Sequence, residues 1–179
     1  MRDRVDDCSE TPAHLRILYS LRGQHHLPES SLDHLAGHGG AKPVRIGNEA
    51  HEQTQLDIFG ELLDAVYLAN KYGEAISHDG WKHVVGIVDQ VCDSWRQKDV
   101  GIWEIRGEEQ HFLHSRLMCW VALDRAIRLA QKRSLPAPFA RWNDERQAIH
   151  DDIWNNFWDQ DCGHFVQRIG CQDAVSYTH

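Results

Sequence analysis

Four segments of the chain repeat apolar residues every three or four positions, and this pattern predicts long amphipathic helices. We expect them at about 49–72, 78–97, 111–133 and 138–157, separated by glycine-containing breaks. Strand patterns are short, at 15–18, at 43–46, and after a predicted turn within 161–165. The sequence therefore predicts an all-α layer, with short extended segments near its N- and C-terminal ends.

Helices of this kind can stack as a bundle, as a solenoid or as a closed double-ring barrel. Periodicity alone does not choose among the three. A solenoid requires a repeat of fixed period, and the four helical segments differ in length and share no repeated signature. The solenoid is therefore the least supported arrangement.

Composition narrows the classes of function. The chain has 179 residues, enough for one domain, and a formal net charge of -8. No basic cluster suited to a phosphate backbone occurs, so we expect no nucleic-acid partner. No apolar run approaches the length of a membrane span, and the N-terminus lacks the apolar core of a signal peptide. We therefore expect no membrane partner.

Cysteine usage bears on the compartment. The five cysteines are odd in number and form no CxxC pair, so they are interpreted as reduced thiols, some of them buried. This pattern favours a cytoplasmic location. The alternative, an export signal lost from a truncated chain, stays open.

Thirteen histidines raise the possibility of a metal site, but their spacing does not support one. His51-Glu52 begins like a zinc-protease motif, yet Gln55 stands where that motif needs a second histidine. No metal and no cofactor are predicted. His111 and His114 are assigned instead to loop packing or hydrogen bonding, with a direct contact to a bound substrate as the alternative.

Aromatic and acidic residues on the helices have ordinary structural explanations. Trp81 and Trp95 follow the apolar period of the second helix and are predicted to be core. Asp57, Glu61 and Asp64 are interpreted as a solvated or partner-facing stripe. The alternative is that Asp57 and Glu61 point into a cleft.

The short segment 101–107, Gly-Ile-Trp-Glu-Ile-Arg-Gly, carries the most specific chemistry. A carboxyl group among Trp103 and two isoleucines loses hydration, which raises its pKa and suits Glu104 to donate a proton. Such an acid protonates the leaving oxygen of a glycosidic bond. An inverting mechanism also needs a second carboxylate, roughly 6.5–9.5 Å away, to activate water. The alternative is a Trp-anchored loop with a surface pair between Glu104 and Arg106.

Several ordered blocks resemble glycoside hydrolase family 15, the group of the glucoamylases and bacterial trehalases. The resemblance covers about residues 14–173 and includes the following blocks: 37–48 (GHGGAKPVRIGN), 52–57, 60–65, 101–107, 111–115 and 118–126. It implies that the chain is an internal fragment, part of a catalytic (α/α)6 barrel whose active site lies at one end of the helical ring. All of 1–179 is then one partial domain, an incomplete toroid with about four long helices.

The resemblance also implies roles for particular residues. Glu104 corresponds to the general acid of the family, and Trp103 would line the pocket. The backbone around Ile102 would contact the sugar. Arg45 and Asn48 would contact it from a substrate-facing loop, and Arg106 is a further candidate for substrate binding.

Two parts of the family's machinery have no counterpart at a matching position. The general base is expected downstream of residue 179, and an arginine–aspartate pair that grips glucose is expected upstream of residue 1. After Gly170 the sequence departs from the family pattern, and residues from about Val175 are interpreted as a possible non-native tail.

The sequence therefore predicts a fragment of an inverting, exo-acting α-glucoside hydrolase. We expect the fragment to be inactive alone. The predicted substrate is an α-linked glucoside of starch type or dextran type, or trehalose, and the sequence does not choose among them or indicate an oligomeric state. The alternative is a non-catalytic module on the same fold, used for carbohydrate sensing or scaffolding.

Overall fold

A computed structural model of the chain describes residues 15–24, 26–103 and 107–171. Four helices dominate these residues: α1 is Asp57–Tyr72, α2 is His78–Ser94, α3 is Leu113–Arg133 and α4 is Phe139–Asn156. The prediction of an all-α chain with four long helices is confirmed. The arrangement is that expected of part of an (α/α)6 barrel.

The start of α1 differs from its prediction. Residues Glu49–Glu52 form a separate 3-10 turn, and α1 begins only at Asp57. The two are separated because Gln53 is extended and the backbone N–H of Leu56 donates to the carboxylate of Asp99 at 2.9 Å. A distant side chain thus satisfies a donor that a continuous helix would have satisfied internally.

Local capping explains the ends of the other helices. The Ser77 hydroxyl accepts from the backbone N–H of Gly80 at 3.0 Å and caps α2. Ser134 is left-handed, with φ of 52°, and ends α3.

Two short antiparallel strand pairs flank the helices. β1 (Ser30–Ser31) pairs with β2 (Arg45–Ile46), and β3 (Trp158–Asp159) pairs with β4 (His164–Phe165). The extended segments predicted within 43–46 and after the turn in 161–165 are confirmed. The strand predicted at 15–18 was wrong, since the N–H of Arg16 donates to the Tyr19 hydroxyl at 2.9 Å instead of to a neighbouring strand.

Helix α3 is the centre of the packing, with α1, α2 and α4 against it. The contact between α1 and α3 is close: a Cβ on Gly60 would lie 2.3 Å from the backbone oxygen of Met118. The core contains Trp81 and Trp95, as predicted. Leu117 of α3 is 44% exposed, because it lies off the face of α3 that packs in the core.

Buried charge also joins the helices. The Asp124 carboxylate on α3 accepts hydrogen bonds from Arg125 and Arg128 on its own helix and from Arg146 on α4. Arg125 also donates to Asp64 on α1. On α3 this network lies at Asp124, Arg125 and Arg128, beyond Ser115 and Arg116 of the first turn.

Candidate active site

The segment 100–109, named the loop 100–109, lies between α2 and α3 in the sequence, and two reciprocal backbone hydrogen bonds join the residues that flank it. The N–H of Asp99 donates to the oxygen of Gln110 at 2.9 Å, and the N–H of Gln110 donates back at 2.8 Å. Gly101 enters the loop with φ of +66°, and a Cβ there would come 2.9 Å from the Phe112 ring. Glycine is therefore required by both the backbone and the space.

The predicted acid Glu104 and the neighbouring Arg106 lie outside the described residues, so their roles stay predictions. The two residues before Glu104 are described. Ile102 and Trp103 are exposed large apolar side chains, with 63% of Trp103 accessible to solvent. Their exposure leaves them available to contact a ligand, since neither is used up in core packing.

Arg45 and Asn48, the predicted sugar contacts, both have partners within the protein. The Arg45 guanidinium is half exposed and pairs with Glu29, with Nε and Oε1 3.1 Å apart. The Asn48 side chain accepts from the N–H of Ala50 at 2.9 Å and caps the 3-10 turn. These contacts hold the loop 45–55 in shape. A contact to sugar from either residue remains a prediction.

The loop 45–55 and the loop 100–109 meet through the backbone. The N–H of Val100 donates to the oxygen of Thr54 at 3.3 Å. Just below, the Asp99 carboxylate accepts from the N–H of Leu56 and from the Ser115 hydroxyl, at 2.9 and 2.6 Å. The two segments that the sequence assigned to one site therefore lie side by side.

Arg116 fastens the same region from α3. Its guanidinium is buried and pairs with Asp152 of α4, with Nε and Oδ2 3.0 Å apart. Other nitrogens of the guanidinium bond Nδ1 of His111 at 2.7 Å and the oxygen of Gln97 at 3.4 Å. Because Gln97 precedes the loop and His111 follows it, Arg116 holds both of its flanks.

His111 has the hydrogen-bonding role expected of it. Burial lowers its pKa, and the positive charge of Arg116 lowers the pKa further. A neutral His111 can accept from the guanidinium, whereas a protonated one would repel it. Arg116 itself was not identifiable from the sequence, because its partners lie on three different segments.

Asp57 was wrongly assigned to a solvated stripe. It is 5% exposed, and its Oδ2 lies 3.7 Å from Nε2 of His114. Burial raises the pKa of Asp57, Asp99 raises it further, and His114 opposes the rise. Within the described residues no hydrogen bond reaches its Oδ1.

Trp154 of α4 and Trp158 of β3 form a partly exposed aromatic cluster with Phe165 of β4. Trp154 and Trp158 are 5.5 Å apart between ring centroids, and Phe165 packs edge-on against both. These tilted rings pack on one another. The contacts stabilise the pairing of β3 with β4, beyond the far end of α4.

The cysteines and histidines were also considered as ligands or nucleophiles. Cys92 and Cys119 are buried free thiols, as expected, and burial raises the pKa of Cys92 to about 11. In the part of the chain that the structure describes, no group of three His, Cys, Asp or Glu side chains is arranged to hold a metal ion. Among the described helices, none has both the length and the apolar character needed to cross a bilayer.

The all-α fold agrees with the resemblance to a class of glycoside hydrolases, and comparison with known proteins shows the family. The family model for glycosyl hydrolases family 15 matches residues 3–172. The chain belongs to this family.

Individual relatives refine the comparison. The chain is 41% identical to a trehalase of Mycobacterium tuberculosis over 156 residues, which is 87% of this chain and 23% of the relative. It is 40% identical to a trehalase of Mycolicibacterium smegmatis, covering 90% of this chain and 24% of the relative. Trehalase 2 of Sulfolobus acidocaldarius is 41% identical over 85% of this chain and 27% of its own length.

The chain thus spans about a quarter of the length of the curated relatives it matches. No solved structure matches it. The chain therefore corresponds to one segment of a glycoside hydrolase of this family.

Proposed function

We propose that this chain carries the general-acid part of the active site of an inverting, exo-acting α-glucoside hydrolase, with trehalose as its substrate. The observation that carries the proposal is the exposure of Trp103, which immediately precedes Glu104 in the sequence of a member of family 15, close to the hydrogen-bonded pair of Asp99 and Gln110. Glu104 donates a proton to the leaving glycosidic oxygen. A carboxylate supplied from outside the chain activates water on the opposite face of the ring.

Trehalose is preferred to starch-type and dextran-type glucosides because the relatives named above are all called trehalases. Trp103 and Ile102 offer an apolar surface on which a sugar ring can stack. Arg45, Asn48 and Arg106 supply hydrogen bonds to its hydroxyls. No cofactor enters this chemistry, because proton transfer and attack by water complete the reaction.

The proposal is tested by exchanging segments. Residues 15–171 replace the matching segment of the Mycobacterium tuberculosis trehalase, and glucose release from trehalose, maltose and isomaltose is measured. We expect hydrolysis of trehalose above the other two. The Glu104→Gln variant of this exchanged enzyme should lose at least about 10³-fold in kcat.

The matched control is Glu109→Gln, which removes an exposed carboxylate from the same loop. It should keep kcat within about 3-fold. A folded exchanged enzyme whose activity survives Glu104→Gln would refute the role of Glu104. A folded exchanged enzyme that binds trehalose without cleaving it would favour the sensing module.

A further inference from the structure

The Asp99 carboxylate lies where three chain segments of the candidate site meet. It is 1% exposed, and its Oδ2 accepts from the first turn region of α1 at Leu56 and from α3 at Ser115. Its own backbone closes the base of the loop through Gln110. One residue thus links the loop 100–109 to both helices beneath it.

Arg116 holds the flanks of the loop, but its described hydrogen bonds reach Gln97, His111 and Asp152 and not the start of α1. The neighbouring backbone hydrogen bond from Val100 to Thr54 is long, at 3.3 Å. The Phe112 ring lies next to Gly101, where a Cβ would come 2.9 Å from it. Hydrogen bonds to a buried carboxylate are stronger than neutral ones, and losing the acceptor leaves the Leu56 donor unsatisfied.

We propose that Asp99 is a positioning residue, which fixes the loop bearing Glu104 against the loop 45–55. This inference rests on the proposed function for its catalytic consequence, although not for the anchoring itself. Catalytic rate is sensitive to such anchoring, because displacing a catalytic group by about 1 Å can cost about 10²-fold.

Anchoring is tested first in the 179-residue chain by amide hydrogen exchange. Asp99→Ala should raise the exchange rates of the Leu56 and Gln110 amides at least about 10-fold. Asp99→Asn, which keeps an accepting oxygen, should restore most of the protection. If Asp99→Ala leaves both rates unchanged, Asp99 is not an anchor and the proposal is overturned.

The matched control is Asp124→Ala. Asp124 is another buried aspartate, 2% exposed, and it accepts hydrogen bonds from arginines instead of from loop residues. Its position on α3 is nine residues from Ser115, about 13 Å along the helix. Its loss should lower the melting temperature without changing exchange at Leu56 or Gln110.

The catalytic consequence is tested in the exchanged enzyme. Asp99→Ala should lower kcat for trehalose about 10- to 100-fold and leave KM within about 2-fold of the wild-type value. Asp99→Asn should restore kcat by at least half of that loss, measured on a logarithmic scale. Asp124→Ala should leave kcat within about 2-fold. Equal losses of kcat in Asp99→Ala and Asp124→Ala would overturn positioning.

The two proposals fail differently. If Glu104→Gln remains active while exchange at Leu56 responds to Asp99→Ala, the assignment of the acid is wrong and the anchor stands. If Glu104→Gln is inactive and Asp99→Ala changes neither exchange nor kcat, the proposed function stands and the anchor does not.

Discussion

Asp57 and Asp99 lie close enough to interact electrostatically, yet their carboxylates differ in the hydrogen bonds that they accept. Asp99 accepts two hydrogen bonds through one oxygen. Asp57 is also buried, but Nε2 of His114 lies 3.7 Å from its Oδ2, beyond hydrogen-bond distance. Burial therefore raises the pKa of Asp57, because the protonated carboxyl group tolerates the loss of water better than the ionised one.

This predicts how Asp57→Asn alters stability with pH. The pKa of Asp57 in the folded chain lies above its ordinary value of 3.8, so the folded state binds the proton more tightly. That contribution to stability is complete below pH 3.8 and is lost as the pH rises through the folded pKa. At pH 7 the ionised group costs stability, so Asp57→Asn should raise the melting temperature there by about 2–4 °C.

The measurement is thermal unfolding by circular dichroism, from a pH of about 3, below the ordinary carboxyl pKa, to a pH of about 7, well above it. The advantage of the variant should shrink as the pH falls. Asp64→Asn is the control, because Asp64 on the same helix is bonded to Arg125, and its loss should lower the melting temperature at pH 7. The difference in melting temperature between Asp57→Asn and wild type should be larger at pH 7 than at low pH. A smaller difference at pH 7 would contradict this account.

The close contact between helices α1 and α3 supports the loops 45–55 and 100–109, which precede these two helices in the chain. Gly60 makes it possible, since its missing side chain leaves room for the backbone of Met118. Helix α1 carries Asp57 at its start, and α3 carries Ser115 and Arg116 at its start. The spacing between the two helices therefore sets the spacing of the groups that hold the loop 100–109.

Gly60→Ala should be strongly destabilising for this reason. A Cβ at this site would meet the Met118 oxygen at 2.3 Å, and backbone atoms cannot move aside cheaply. We expect a loss of about 3 kcal/mol, the upper range for overpacking. Ala65→Gly on the exposed side of α1 is the control and should cost about 1 kcal/mol through helix propensity alone.

Chemical denaturation measures both variants. A Gly60→Ala variant as stable as wild type would show that α1 and α3 can separate without cost, against the packing described above.

The helices were predictable because apolar periodicity is a local property of the sequence. The ends of α2, α3 and α4 fell within a few residues of their predictions, since capping residues such as Ser77 are also local. The start of α1 and the buried state of Asp57 were not predictable. The start of α1 depends on a hydrogen bond to Asp99, which is 43 residues from Leu56 along the chain.

The same distinction applies to the candidate site. The Trp-Glu loop was identifiable from a contiguous motif flanked by glycines. The residues that hold it, Asp99 and Arg116, are defined by partners that only the fold brings together. Their burial is visible in the structure and has no counterpart in the sequence pattern.

At the scale of the whole molecule, the chain is a quarter of the length of its relatives and carries one candidate catalytic carboxylate in its matched motif. Large apolar side chains are exposed on α1 and α3, including Leu68, Tyr72 and Leu117. An inverting mechanism needs two carboxylates on opposite faces of the sugar.

The isolated 179-residue chain should therefore release no glucose from trehalose above the uncatalysed background. A coupled glucose assay on the purified, folded chain measures this, with the exchanged enzyme as the positive control. Hydrolysis by the isolated chain that is lost in Glu104→Gln would show that a second carboxylate lies within it, contrary to this account.

The most direct test of the central claim compares two substrates in the Glu104→Gln exchanged enzyme. The glycosidic oxygen of trehalose needs a proton in order to leave. The leaving group of α-glucosyl fluoride is fluoride, which departs with little acid assistance. We predict a loss of at least about 10³-fold in kcat for trehalose and less than about 10-fold for the fluoride. Equal losses for both substrates, or no loss for trehalose, would contradict the assignment of Glu104 as the general acid.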